Sequence, residues 1–113
     1  MTKHETITTH DIRQGDIILS HGMVLLVDSE PRVSKGHGVT EYGGECKVTD
    51  ALVLNWEEVQ ATADALLVSF IRDDMAPDGH AARNGRRNTE PRWTIQGNGL
   101  AQWARVIEDN KEV

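Results

Sequence analysis

Residues Gly15–Val27 read GDIILSHGMVLLV, and this stretch decides the fold. Gly15-Asp16 is a turn pair that delivers a β-branched run, Ile17-Ile18-Leu19. Ser20-His21-Gly22 breaks that run, and Met23-Val24-Leu25-Leu26-Val27 follows. Short apolar runs across so tight a connection predict a β-hairpin. Both runs are apolar on both faces, which implies burial.

Working outward toward the C-terminus, Ser34–Gly44 holds Gly36, Gly38, Gly43 and Gly44 and reads as a loop or a loose hairpin tip. Cys46–Leu54 alternates in part, as one strand or two short ones would. Asn55-Trp56-Glu57-Glu58 predicts a helix start. Asn55 can accept from the first free N–H groups, and Glu58 can reach back. Trp56, Val59 and Ala63 then share a face. Residues 65–72 fit either a longer helix or a strand. The strand preference of Val68, Phe70 and Ile71 leads us to expect a short helix followed by a strand. Arg92–Gln96 predicts another strand. Gly97-Asn98-Gly99 predicts a type I′ hairpin turn, with Leu100–Ile107 returning, although Leu100, Trp103 and Ile107 also fit a helix face. Trp93 and Trp103 are expected to be buried, facing each other or the first hairpin. Residues 1–10 are polar and residues 108–113 charged, and both are expected to be flexible ends.

These elements make a single domain over residues 1–113, mainly β in the α+β sense. The expected architecture is a small, strongly bent antiparallel sheet or a partly open SH3-like barrel with one short helix. Apolar residues are 38% and aromatics 4% of the 113 residues, so the core is one of Val, Leu and Ile with Trp anchors. A chain of this length buries about two-thirds of its unfolded surface and folds without disulfides. Cys46 is the lone cysteine, so no internal disulfide forms. The sequence shows no signal-like segment and no apolar run of membrane-spanning length, so we expect a cytoplasmic protein that does not engage membranes. The net charge of −6 argues against general attraction to nucleic acid and restricts any such role to a local patch.

Familiar chemistry is not written in the chain. None of the five histidines lies three or four residues from another, and none pairs with a second cysteine, so no zinc site is expected. Asp74 and Asp78-Gly79 match part of a calcium loop, but Ala76 and Gly85 stand where ligand oxygens belong. Cys46 between a glycine turn and a strand reads as a small core residue. There is no G-x-S-x-G, no H-E-x-x-H and no P-loop. No catalytic residue, metal or cofactor is expected.

One segment remains, Asp73–Arg92, DDMAPDGHAARNGRRNTEPR, read as a long loop nearly free of large apolar side chains. Loops of this length inside compact domains are uncommon, and are either functional or disordered. Arg83, Arg86, Arg87 and Arg92 are the candidate partner-binding residues, suited to phosphates or to an acidic protein surface. The bland alternative is a solvated loop that keeps an edge soluble.

The runs WTIQGNGLAQW at Trp93–Trp103 and IRQGDIIL at Ile12–Leu19 resemble small uncharacterised proteins of actinobacteriophages. That resemblance brings no catalytic residues. It implies an accessory protein in the host cell cytoplasm that binds a host protein. The alternative is a single-stranded nucleic-acid binder, with the arginines on phosphates and an exposed Trp stacking a base.

Overall fold

The computed structural model describes residues 3–34, 39–40, 44–79 and 89–107. In chain order the elements are β1 (Lys3–Thr8), a 3-10 turn (Thr9–Asp11), β2 (Ile17–Ser20), β3 (Met23–Val27), β4 (Arg32–Val33), β5 (Val39–Thr40), β6 (Gly44–Glu45), β7 (Lys47–Val53), α1 (Trp56–Thr62), α2 (Ala65–Met75), β8 (Arg92–Gly97) and β9 (Gln102–Ile107). Every strand pairing is antiparallel. The main sheet runs β1–β9–β2–β3–β7–β8, and β4 lies beside the N-terminal half of β7, beyond the reach of β3. β5 and β6 form a small separate ladder. The sheet stays open, with β1 and β8 at its edges, and the expected mainly β, α+β class holds.

The first hairpin forms as its sequence predicts. Ser20 pairs with Met23, leaving His21-Gly22 as a two-residue turn. Both turn residues have positive φ, 52° and 84°, as a type I′ turn demands. The sheet face that carries Ile18, Leu25, Val27, Ala51, Val53 and Ile95 is closed to solvent. Val59 of α1 and Val68 and Ile71 of α2 complete this core, so the helices cover that face.

Asn55 marks the start of α1 but does not cap it. Its Oδ1 accepts from the Val24 N–H at 2.9 Å, and its Nδ2 donates to the Gly22 carbonyl and to Glu58. The side chain thus continues the β3–β7 ladder and pins the helix to the first hairpin.

Four expectations change. Residues 3–8 are not a frayed end: they form β1, which pairs along its whole length with β9. Residues 65–72 are helical throughout, which makes two helices where one was expected. Asp64 caps α2 by accepting from the Leu66 N–H at 2.8 Å, and Leu67, Val68, Ile71 and Met75 form a helical stripe toward the core. Packing at that period overrides strand propensity. The expected loop loses its two ends, because Asp73–Met75 belong to α2 and Arg92 to β8, and its residues 80–88 lie outside the described residues.

The fourth change concerns Asn98-Gly99. β8 pairs with β7, and β9 pairs with β1 and β2, so β8 and β9 are not a hairpin. Neither Asn98 nor Gly99 has positive φ. Asn98 instead folds the turn through its side chain, accepting from the Leu100 N–H at 2.8 Å. Gly97 lies at the corner, where a Cβ would come within 2.8 Å of both Thr9 Oγ1 and Ala101 Cβ. Trp93 and Trp103 therefore do not face each other. Each is half-buried against the core, Trp93 opposite Ala51 and Trp103 opposite Ile7.

Candidate partner-binding cleft

α2 carries apolar residues on both sides. Val68 and Ile71 are 6% and 1% exposed, whereas Leu66 and Phe70 are 61% and 57% exposed. Leu66 and Phe70 are four residues apart and so share the outward side of the helix. Phe70 overhangs a cleft of about 430 Å³ between α2 and β8. Phe70, Ile71, Asp73 and Asp74 line it from the helix, and Arg92, Trp93 and Thr94 from the strand. Successive strand residues point to opposite faces of a sheet. A cleft that touches Arg92, Trp93 and Thr94 together therefore runs along the outer edge of β8.

Of the residues predicted for the site, Arg83, Arg86 and Arg87 lie outside the described residues. Arg92 opens β8 and gathers carboxylates. Its guanidinium lies 2.8 Å from Asp28, 3.3 Å from Asp50 and 3.7 Å from Glu90. Donation by Arg92, aided by its charge, holds the Asp28 carboxyl below the usual carboxylate range against the opposing effect of burial. The same partners raise the Arg92 pKa, with the Asp28 hydrogen bond first. Arg92 thus clasps the end of β3, β7 and β8 on the sheet face away from the helices, at one wall of the cleft.

A second clasp stands at the opposite end of the sheet. Arg105 binds Glu5 at 2.7 Å and Asp16 at 3.2 Å, and donates to the Asp11 carbonyl. It joins β1, β9 and the turn before β2. Nearby, Trp103 Nε1 donates to Thr9 Oγ1 at 2.8 Å.

The remaining polar groups build less. Thr6, Leu19, Ser20, His21, Gln102, Trp103 and Ala104 line a shallow hollow of about 400 Å³. There Ser20 Oγ and His21 Nδ1 lie 2.9 Å apart, a contact between chain neighbours on an exposed turn. Cys46 is half-buried between β6 and β7. Among the described residues no three His, Cys, Asp or Glu side chains converge as metal ligands would. No described helix is long and apolar enough to cross a membrane.

Sequence reasoning passed over Leu66 and Phe70, and brought in a Trp only as a neighbour of the loop, the place that Trp93 holds. Their signal was present: apolar residues at 66 and 70 fall outside the stripe of 67, 68, 71 and 75 once the segment is read as a helix. No family model matches the chain, and no curated protein or solved structure does either.

Proposed function

We propose that this is a non-enzymatic accessory protein that binds another protein through the cleft between α2 and β8. The exposure of Phe70, at 57% beside half-buried Trp93, carries this reading. Apolar surface gathered at a concave, polar-rimmed place marks interaction sites more than scattered surface residues do. Aromatic anchors also dominate protein-binding energetics. The segment 80–88, with Arg83, Arg86 and Arg87, joins Gly79 to Thr89 close in sequence to both walls, and its arginines would add to the contact. The resemblance to phage proteins favours a host protein as the partner and the host cytoplasm as the setting.

Single-stranded nucleic acid is the weaker reading. Asp73 and Asp74 line the cleft, and Arg92 is already matched by carboxylates.

Capture from host lysate, with and without nuclease, tests the proposal. A protein retained by the native chain after nuclease treatment, and lost with a folded Phe70→Asp variant, supports it. Capture that nuclease abolishes favours nucleic acid. Capture that is indifferent to Phe70→Asp removes the cleft as the site.

A further inference from the structure

We propose that Asn98 is a site of spontaneous deamidation in the folded protein. The Gly99 backbone nitrogen attacks the Asn98 carboxamide, and residue 98 turns to aspartate or isoaspartate as the protein ages. This goes beyond the binding role and does not depend on it.

The corner between β8 and β9 is set up for that attack by its hydrogen bonds. The Leu100 N–H donates to Asn98 Oδ1 at 2.8 Å, which folds the carboxamide back along the chain, over the peptide that joins Asn98 to Gly99. Gly99 carries no side chain to obstruct it. Among the described residues nothing accepts from the Gly99 N–H, so no hydrogen bond has to break before that nitrogen reacts. Asn98 and Gly99 are half-buried and Leu100 is exposed, so water reaches the corner. The Ala101 N–H donates to the Asn98 backbone carbonyl at 3.3 Å. A donor on that oxygen stabilises the negative charge that appears when the Gly99 nitrogen gives up its proton. The Leu100 N–H does the same for Oδ1, which carries the charge of the tetrahedral intermediate. Two bonds that hold the turn thus also serve the two charged stages of the reaction.

Water is the only co-reactant. The Gly99 nitrogen loses its proton to hydroxide or a buffer base and bonds to Cγ. Nδ2 takes a proton back and leaves as ammonia, and a cyclic imide remains. Water then opens the imide. If the bond from nitrogen to Cγ breaks, residue 98 is aspartate. If the bond from nitrogen to the main-chain carbonyl carbon breaks, it is isoaspartate, and the chain runs on through Cγ. Nothing is oxidised or reduced. Either product adds negative charge to a chain of net charge −6.

The two products differ in what they do to the fold. Aspartate keeps a side-chain oxygen for the Leu100 N–H. Isoaspartate adds a methylene to the main chain between two fixed points. Gly97 pairs with Lys47 on β7, and the Ala101 carbonyl accepts from the Thr9 N–H at 3.2 Å. The corner has no slack, because even a Cβ on Gly97 would come within 2.8 Å of Thr9 Oγ1 and Ala101 Cβ. The isoaspartate form should therefore lose part of the β1–β9 pairing. Asn55 is the internal contrast. The nitrogen that would attack it belongs to Trp56, which carries a bulky side chain and is fixed as the first residue of α1.

The test ages the full chain in mildly alkaline buffer and follows its tryptic peptides by mass spectrometry, with aspartate and isoaspartate forms separated by chromatography. The peptide of residues 93–105 holds Asn98 as its only asparagine. Asn98 should convert about tenfold faster than Asn55, or more. Gly99→Ala should slow the conversion by about tenfold or more, with native circular dichroism, since Gly99 does not need positive φ. The folded chain should convert Asn98 at least as fast as the same chain in urea, where the two hydrogen bonds are gone. Slower conversion in the folded chain would show that the turn shields Asn98, and overturns the proposal. So does an Asn98 that lasts as long as Asn55, or a folded Gly99→Ala variant that converts like the native chain. If that variant does not fold, the comparison with urea decides.

Discussion

Phe70 and Ile71 are chain neighbours on one helix, and the first is 57% exposed while the second is 1% exposed. About 100° of helical rotation separates them. That rotation carries Ile71 into the core with Val59, Val68 and Ile95, and leaves Phe70 over the cleft beside Trp93. An apolar stripe facing the core is what holds α2 on the sheet. A second apolar pair on the same helix leaves apolar surface exposed, which is the basis of the proposed contact. The same division separates the inner sheet face from the β8 edge.

The contrast is broken most directly at Ile71. Ile71→Ala leaves a cavity where the helix meets the sheet, and should destabilise the chain by about 3 kcal/mol. Urea denaturation measures it, and a loss under about 1 kcal/mol would show that this stripe is not core. Trp103→Ala should follow at about 2 kcal/mol, less than a fully buried Trp because the ring is half-buried. Trp103→Phe should recover most of that loss and still lack the bond to Thr9, leaving a deficit of about 1 kcal/mol. Equal losses in the two variants would mean that the hydrogen bond, not the ring, matters. Gly22→Ala should cost about 1 kcal/mol, because φ of 84° puts its Cβ against the backbone.

The sequence made the turn-defined parts legible. His21-Gly22 announced the first hairpin through its turn chemistry, and Arg92–Gln96 announced a strand; Asn55 marked where α1 begins, but its side chain holds the first hairpin and does not cap the helix as its sequence suggests. β1 was hidden because it is polar and exposed along most of its length, and its pairing with β9 joins opposite ends of the chain. Asn98-Gly99 misled for a related reason. The dipeptide suits a hairpin, but β8 and β9 find their partners elsewhere, and no local signal says so. α2 was misread because Val68, Phe70 and Ile71 prefer strands in isolation, and that misreading also concealed the Leu66–Phe70 pair. The site was legible only as a neighbourhood. The long loop pointed to the cleft's flank, and the walls needed the fold.

Arg92 sharpens the comparison from the sheet side. Arg92→Gln removes the donor that lowers the Asp28 carboxyl, so that carboxyl should rise toward its ordinary value in a ¹³C-detected titration. The sign follows from the lowered folded value. Stability from this pair is complete above the ordinary carboxylate range and is lost as pH falls through the lowered value. The variant should therefore lose part of its acid-side pH dependence. The loss at neutral pH should stay below about 1 kcal/mol, since the Asp28 side chain is 35% exposed and water screens the pair. An unmoved Asp28 titration would remove Arg92 as the cause.

The smallest expected effect on stability is the most informative for function. Phe70→Ser should change the unfolding free energy by about 1 kcal/mol or less, well below Ile71→Ala, because the residue is 57% exposed and serine is a tolerable helix surface residue. Arg86→Ala with Arg87→Ala should be equally mild. Partner binding should behave in the opposite way. Loss of an aromatic anchor should weaken it by about 2 kcal/mol, and the double arginine variant by about 1 kcal/mol or more. Paired measurements, denaturation for stability and calorimetry for binding, place each variant on one side of the comparison. If Phe70→Ser unfolds the chain as Ile71→Ala does, the two faces of α2 are not distinct and the exposed ring belongs to the fold. If it alters neither quantity, the cleft is not the contact, and the weight moves to the arginines at 83, 86 and 87.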